Sequence, residues 1–170
     1  MPIWLVVVLA VIVAQAPAPA AKKATETAHL VVTTSVVPDS TASGRKVSLQ
    51  VEVAPKPLMH VYAPGQEGYI AIVLTLDTDA SFEAAKAKYP AGEKLFMPLL
   101  NETQLVYAKP FRITQAVTFR SEAAPGPRTI KGTLRYQACD DKICYRPTSI
   151  PIEWTLDESR GAKRERQPPL

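Results

Sequence analysis

A short run of strict alternation constrains this chain more than any other feature. In 45–54 (RKVSLQVEVA), Val47, Leu49, Val51 and Val53 fall on one side, while Lys46, Ser48, Gln50 and Glu52 fall on the other. Period two over that length makes an antiparallel strand with one face on a core and one toward solvent. The other apolar runs are also short, and most are rich in β-branched or aromatic residues: 29–37, 58–62, 69–76, 104–108, 111–119, 128–138 and 148–156. Of these, 69–76 (YIAIVLTL) is strongly β-prone and reads as a central strand. The chain has 16 Pro and 7 Gly, many of the prolines punctuating those runs, as edges and turns of a β protein require. Strands this short, with turns every ten or so residues, pack as two sheets, so the expected fold is an all-β sandwich of about seven to nine strands. Segment 81–89 (SFEAAKAKY) fits either a helical turn or an irregular strand. Segment 90–103 has no clear period yet carries Leu95, Phe96, Met97, Leu99 and Leu100, an apolar content unusual for a loop.

The ends read differently from the middle. Residues 3–13 are an unbroken apolar run, followed by small residues with Pro and Gln, and Lys22 is the first charged side chain. The run is short against the roughly 20 residues of a membrane span. It reads as a signal peptide over 1–20, cleaved after Ala16 or Ala20, although no basic residue precedes it. The alternative is a short uncleaved anchor. After cleavage no stable membrane insertion is expected, and the compartment is oxidising. Residues 21–28 read as a flexible lead, 29–156 as one domain, and 157–170 (DESRGAKRERQPPL) as a disordered charged tail. The net charge of +4, from 20 basic and 16 acidic residues, is too small and too evenly spread to indicate a nucleic-acid partner.

The only two cysteines, Cys139 and Cys144, lie between the last two strand-like runs, separated by Asp140, Asp141, Lys142 and Ile143. In an oxidising compartment such a pair can form a disulfide across a hairpin loop. As a staple it does little: closing a loop of about six residues contributes roughly 2 kcal/mol by chain entropy. An immunoglobulin-type inter-sheet bridge is excluded, because it joins cysteines far apart in sequence. The placement favours a bond made to be broken, since the second thiol can resolve a mixed disulfide formed by the first. Asp140 and Asp141 oppose thiolate formation, whereas Lys142 and Arg146 favour it. Tyr136 and Tyr145 are placed to pack over the sulfurs. Two thiolates make half a zinc site, and His29 and His60 show no ligand spacing, so neither metal nor cofactor is expected. A cysteine nucleophile would need a base, and His60 is the histidine available in the body of the domain. The competing reading is a secreted, non-enzymatic β-sandwich module whose disulfide is a static staple in binding or assembly.

Three stretches carry a family resemblance. Residues 132–139 (Gly-Thr-Leu-Arg-Tyr-Gln-Ala-Cys), followed by Cys144-Tyr145-Arg146-Pro147, resemble the N-terminal periplasmic domain of the thiol:disulfide interchange protein DsbD, in which a strand ending Tyr-Gln-Gly/Ala-Cys leads through a short loop to Cys-Tyr-Pro-Pro. Residues 59–64 (MHVYAP) are similar to an aromatic segment of that family, and 89–92 (YPAG) to the segment before its cap loop. Here four residues rather than five separate the cysteines, Arg146 replaces a proline, and only Glu102 matches the acidic cap residues. The resemblance implies an immunoglobulin-like sandwich with Cys139 and Cys144 as the exchanging pair, Cys144 attacking and Cys139 resolving. It also implies a cap loop at 96–102 in which Phe96, Met97 and Leu99 shield the disulfide, the alternative being that these side chains make ordinary core contacts, with His60 and Tyr62 nearby as tuning residues. Such a domain is a thiol:disulfide oxidoreductase component of the periplasm. It passes electrons from a membrane or thioredoxin-like donor to thioredoxin-fold partners, namely disulfide isomerases and cytochrome c maturation proteins. No membrane or thioredoxin-like domain is encoded in these 170 residues, so the membrane electron donor is expected to be a separate protein.

Overall fold

The computed structural model describes residues 22–38, 46–98, 100–120 and 127–157. The expected signal peptide, the loop around 39–44, the turn around 122–126 and nearly all of the charged tail lie outside them. Among the described residues twelve strands are formed: β1 (Lys23–Glu26), β2 (Leu30–Pro38), β3 (Lys46–Pro55), β4 (His60–Tyr62), β5 (Val73–Leu76), β6 (Phe82–Ala84), β7 (Glu93–Met97), β8 (Glu102–Tyr107), β9 (Phe111–Phe119), β10 (Pro127–Tyr136), β11 (Ala138–Cys139) and β12 (Thr148–Asp157). They make an all-β, immunoglobulin-like sandwich. The count exceeds the expected seven to nine because β1, β4, β6 and β11 are only two to four residues long.

The alternating strand does what its pattern requires. β3 is central in a five-stranded sheet ordered β1-β2-β3-β9-β6. Val47, Leu49, Val51 and Val53 are buried, and the intervening residues are partly exposed. A second sheet, ordered β12-β10-β5, supplies Ile130, Leu134, Ile150, Ile152 and Trp154 to the same core. The Trp154 indole N–H donates to the Gln50 carbonyl at 3.0 Å, so even the largest core side chain leaves no polar atom unpaired. The third sheet, ordered β11-β4-β8-β7, carries the cysteines.

Several expectations are corrected. The lead is not free: β1 pairs with β2, and Lys23 forms an ion pair with Glu153. Of the two readings open for segment 81–89 the structure takes the strand, with Phe82–Ala84 added to the edge of the first sheet against β9. The run 69–76 is not a central strand. Only Val73–Leu76 pairs, as the edge of the second sheet, and the residues before it follow a turn with Gly65 and Gly68 at φ 97° and 76°. The segment read as an apolar loop is a β7–β8 hairpin, with Met97 paired to Glu102 across a turn that holds Asn101 at φ 52°.

The candidate redox site

The cysteine hairpin is split between two sheets. β10 and β12 pair from Pro127–Asp157 to Tyr136–Thr148. After Tyr136 the chain leaves that ladder, and Ala138–Cys139 pairs instead with Val61–His60 of β4. Gln137 sits at the switch and holds it from both sides. Its side-chain oxygen accepts the Ile70 N–H at 3.3 Å, and its amide donates to the Tyr145 carbonyl at 3.2 Å.

Cys139 and Cys144 form a disulfide and face each other as an antiparallel bridge, with Cα atoms 4.0 Å apart. The loop between them is internally bonded. One Asp140 carboxylate oxygen accepts the N–H groups of Lys142 and Ile143, each at 2.8 Å, and the other accepts the Tyr145 hydroxyl at 2.9 Å. The Asp140 N–H donates to the Ile143 carbonyl at 3.0 Å. The donors from Ile143, Lys142 and Tyr145 hold the Asp140 carboxyl below the usual range, so it is charged at neutral pH. Asp141 and Lys142 are exposed on the loop.

The two sulfurs are not equivalent. Cys139 is 1% exposed and packs with Tyr62 and Val106, with Tyr69 and Leu95 against them. Cys144 is exposed. The Tyr62 hydroxyl stands 3.2 Å from Sγ of both cysteines. Disulfide sulfurs carry no hydrogen, so the phenol O–H is the donor and points at one sulfur at a time. Burial, aided by Tyr69 and Glu102, pushes the Tyr62 phenol up to about 12, which keeps it protonated. Its ring stacks on Tyr69 at 4.4 Å, and Tyr69 in turn donates its hydroxyl to Glu102. Gln104, buried beneath, also donates to Glu102, at 2.6 Å. These two donors hold the Glu102 carboxyl low.

The side chains around the disulfide are therefore partly those anticipated. Tyr62 touches the sulfurs and His60 is the cross-strand partner of Cys139. Tyr136 is fully buried in the main core, with its hydroxyl donating to Thr27 at 3.0 Å. The Tyr145 ring lies 4.5 Å from His29, and its hydroxyl serves Asp140. Both tyrosines brace the neighbourhood of the pair, and the sulfur contact belongs to Tyr62. On β7, Leu95 faces the cysteine cluster, Met97 is half-buried on the same side, and Phe96 points outward at 55% exposure. Leu99 lies outside the described residues. Tyr69 and Leu95 were missed as site residues, although a second tyrosine beyond the Pro64-Gly65 turn is a signal that could have marked the first. Among the described residues no three potential metal ligands come together, and no helix is long and apolar enough to cross a membrane.

A disulfide with one sulfur on an exposed residue and the other buried, set on a β-sandwich, is the arrangement that a thiol–disulfide exchange domain needs. The sequence agrees: the family described as thiol:disulfide interchange protein DsbD, N-terminal, matches residues 15–154, and this chain belongs to it. Similar solved structures include the N-terminal domain of Neisseria meningitidis DsbD in its reduced form, with 16% identity, 76% of this chain and 86% of that one covered, and a TM-score of 0.49. They also include the N-terminal periplasmic domain of ScsB from Proteus mirabilis, with 14% identity over 82% of this chain and a TM-score of 0.54. The chain spans 53% of the length of the ScsB domain. No curated protein matches it.

Proposed function

We propose that the chain is a periplasmic electron carrier. It takes electrons from a thioredoxin-like or membrane-bound donor and passes them to thioredoxin-fold acceptors of the disulfide isomerase and cytochrome c maturation type. The observation that carries this reading is the asymmetry of the pair, with Cys144 exposed and Cys139 buried. A donor thiolate attacks Cys144 Sγ. The Cys139–Cys144 bond breaks and its electron pair stays on Cys139, and the donor's second thiolate then releases Cys144. In the forward transfer the Cys144 thiolate attacks the acceptor disulfide, and Cys139 resolves the mixed disulfide. The β7–β8 hairpin, through Leu95 and Met97 on its inner face, serves as the cap over the pair, and residues 1–20 serve as the export signal. Membership of the family and the oxidising conditions a disulfide needs support the compartment.

Trapping tests the assignment. Cys139→Ser, mixed with an oxidised thioredoxin-fold protein, accumulates a mixed disulfide through Cys144, whereas Cys144→Ser accumulates none. Trapping only through Cys139 reverses the roles, and trapping by neither variant removes the carrier reading.

A further inference from the structure

Exchange leaves one buried titratable side chain without a task. His60 is 3% exposed, and its Nε2 is buried without a hydrogen-bond partner, a state that native proteins rarely leave unexplained. It is the cross-strand partner of Cys139 in the β4–β11 ladder, so the two side chains project from the same face. Tyr62, two residues along β4, shares that face. Its ring meets the imidazole edge-on at 5.9 Å, while its hydroxyl reaches both sulfurs. A disulfide has no proton to offer an imidazole nitrogen, but a reduced Cys139 does.

We propose that His60 accepts the proton of reduced Cys139 and so generates the thiolate that resolves the mixed disulfide. The proposal rests on the exchange reading above. With a partner bonded to Cys144, the Cys139 thiol gives its proton to His60 Nε2, and the thiolate attacks Cys144 Sγ. The Cys139–Cys144 bond forms, the bond from Cys144 to the partner sulfur breaks, and its electron pair leaves on the partner thiolate. The two cysteines lose the two electrons that the partner disulfide gains. His60 then releases its proton to solvent or to the departing thiolate. In the reducing direction an imidazolium returns the proton as Cys139 leaves.

The surroundings suit this role. Burial lowers the His60 imidazole below its ordinary value, so the ring is neutral and free to accept at rest. The Asp140 carboxylate opposes that shift and stabilises the imidazolium once formed. From β4 the other titratable neighbour is the phenol of Tyr62, pushed up by burial and uncharged at neutral pH. Beside it β8 presents Val106, and β11 presents Cys139 itself.

Two measurements on the full chain test the proposal. Reduced protein mixed with a chromogenic aryl disulfide releases one aryl thiolate as Cys144 attacks and a second as Cys139 resolves. His60→Gln and His60→Phe should leave the first phase unchanged and slow the second about tenfold at neutral pH, matching a rise of about one unit in the Cys139 thiol pKa. Independently of any variant, the His60 ring resonances should titrate differently in the oxidised and reduced wild-type protein, with the reduced curve sharing an inflection with the Cys139 Cβ resonance. An unchanged second phase at every pH, or identical His60 titrations in the two redox states, overturns the role of His60. If the wild type releases no second thiolate at all, it is the exchange reading that fails.

Discussion

Removing one oxygen atom from Tyr62 tests how the site treats charge on sulfur. Tyr62→Phe keeps the ring that stacks on Tyr69 and deletes the hydroxyl lying 3.2 Å from each sulfur. Against a neutral thiol that hydroxyl makes a weak bond, at the low end of the roughly 0.5–1.5 kcal/mol net for ordinary hydrogen bonds. Against a thiolate the same donor is charge-assisted and contributes about 1.5–3 kcal/mol. The difference, about 1–2 kcal/mol, favours the ionised thiol, and roughly 1.4 kcal/mol corresponds to one pKa unit. The variant should therefore show a thiol pKa about one unit higher and exchange about tenfold more slowly near neutral pH. Its fold should lose less than about 1 kcal/mol, because the volume of the side chain is nearly conserved. The pH dependence of alkylation of the reduced protein measures the first quantity, and stopped-flow exchange with a thioredoxin-type disulfide measures the second. A folded Tyr62→Phe protein whose thiol titration overlays that of the wild type would refute the idea that this phenol senses charge on sulfur.

Two further outcomes concern the scaffold. A Cβ built on Gly132 would lie 2.6 Å from the Thr75 carbonyl oxygen and 3.3 Å from the Leu76 Cα, both backbone atoms of the edge strand β5. Gly132→Ala must push that strand outward, so urea unfolding should show a loss of about 1–3 kcal/mol, with the midpoint lowered. The second concerns pH. The His60 imidazole is lowered in the folded protein by burial, so its contribution is complete above the unfolded value near 6.5 and is lost as pH falls through the folded value. The lowered carboxyls of Glu102 and Asp140 act with the same sign, below about pH 4.5. Subtracting the stability curve of His60→Gln from that of the wild type should leave a step that begins near pH 6.5 and falls toward acid pH.

What could be read from the sequence follows the range of the forces involved. The face of β3, the span of β9 and the pairing of β10 with β12 are local patterns: Val47 to Val53 alternate, and the strands around the cysteines flank a short loop. The cysteine pair needed only its spacing and its neighbours Tyr136 and Tyr145 to be singled out. The edge position of β5 was hidden because Tyr69–Leu76 is as β-prone as a central strand, and nothing local reveals that Gly68 turns the chain before it. β1 was hidden because four polar or small residues become a strand only when a neighbouring edge is free to pair with them, and 81–89 could not be decided locally because its pairing comes from the edge of β9. The contact of Tyr62 with the sulfurs joins residues 77 and 82 positions apart, so it depends on the sheet switch at Gln137, which no periodicity announces.

That switch also explains how the site can change its redox state without losing its shape. Were the Cys139–Cys144 bond the main tie across the loop, reduction would release the loop along with the sulfurs. Instead the ties are polar and numerous. The Tyr145 N–H donates to the Ala138 carbonyl at 2.8 Å, Asp140 holds Lys142, Ile143 and Tyr145, and Gln137 holds Tyr145 and Ile70. The ladder with β4 holds Cys139 itself. None of these bonds involves a sulfur atom. The disulfide adds only the roughly 2 kcal/mol expected from closing so short a loop. A crosslink that contributes so little to the fold can be opened without unfolding it. With Cys139 fixed behind the ladder and Cys144 exposed, a reduced pair keeps the two thiols within reach of each other. Splitting the hairpin between two sheets thus separates the work of holding the loop from the work of exchanging electrons.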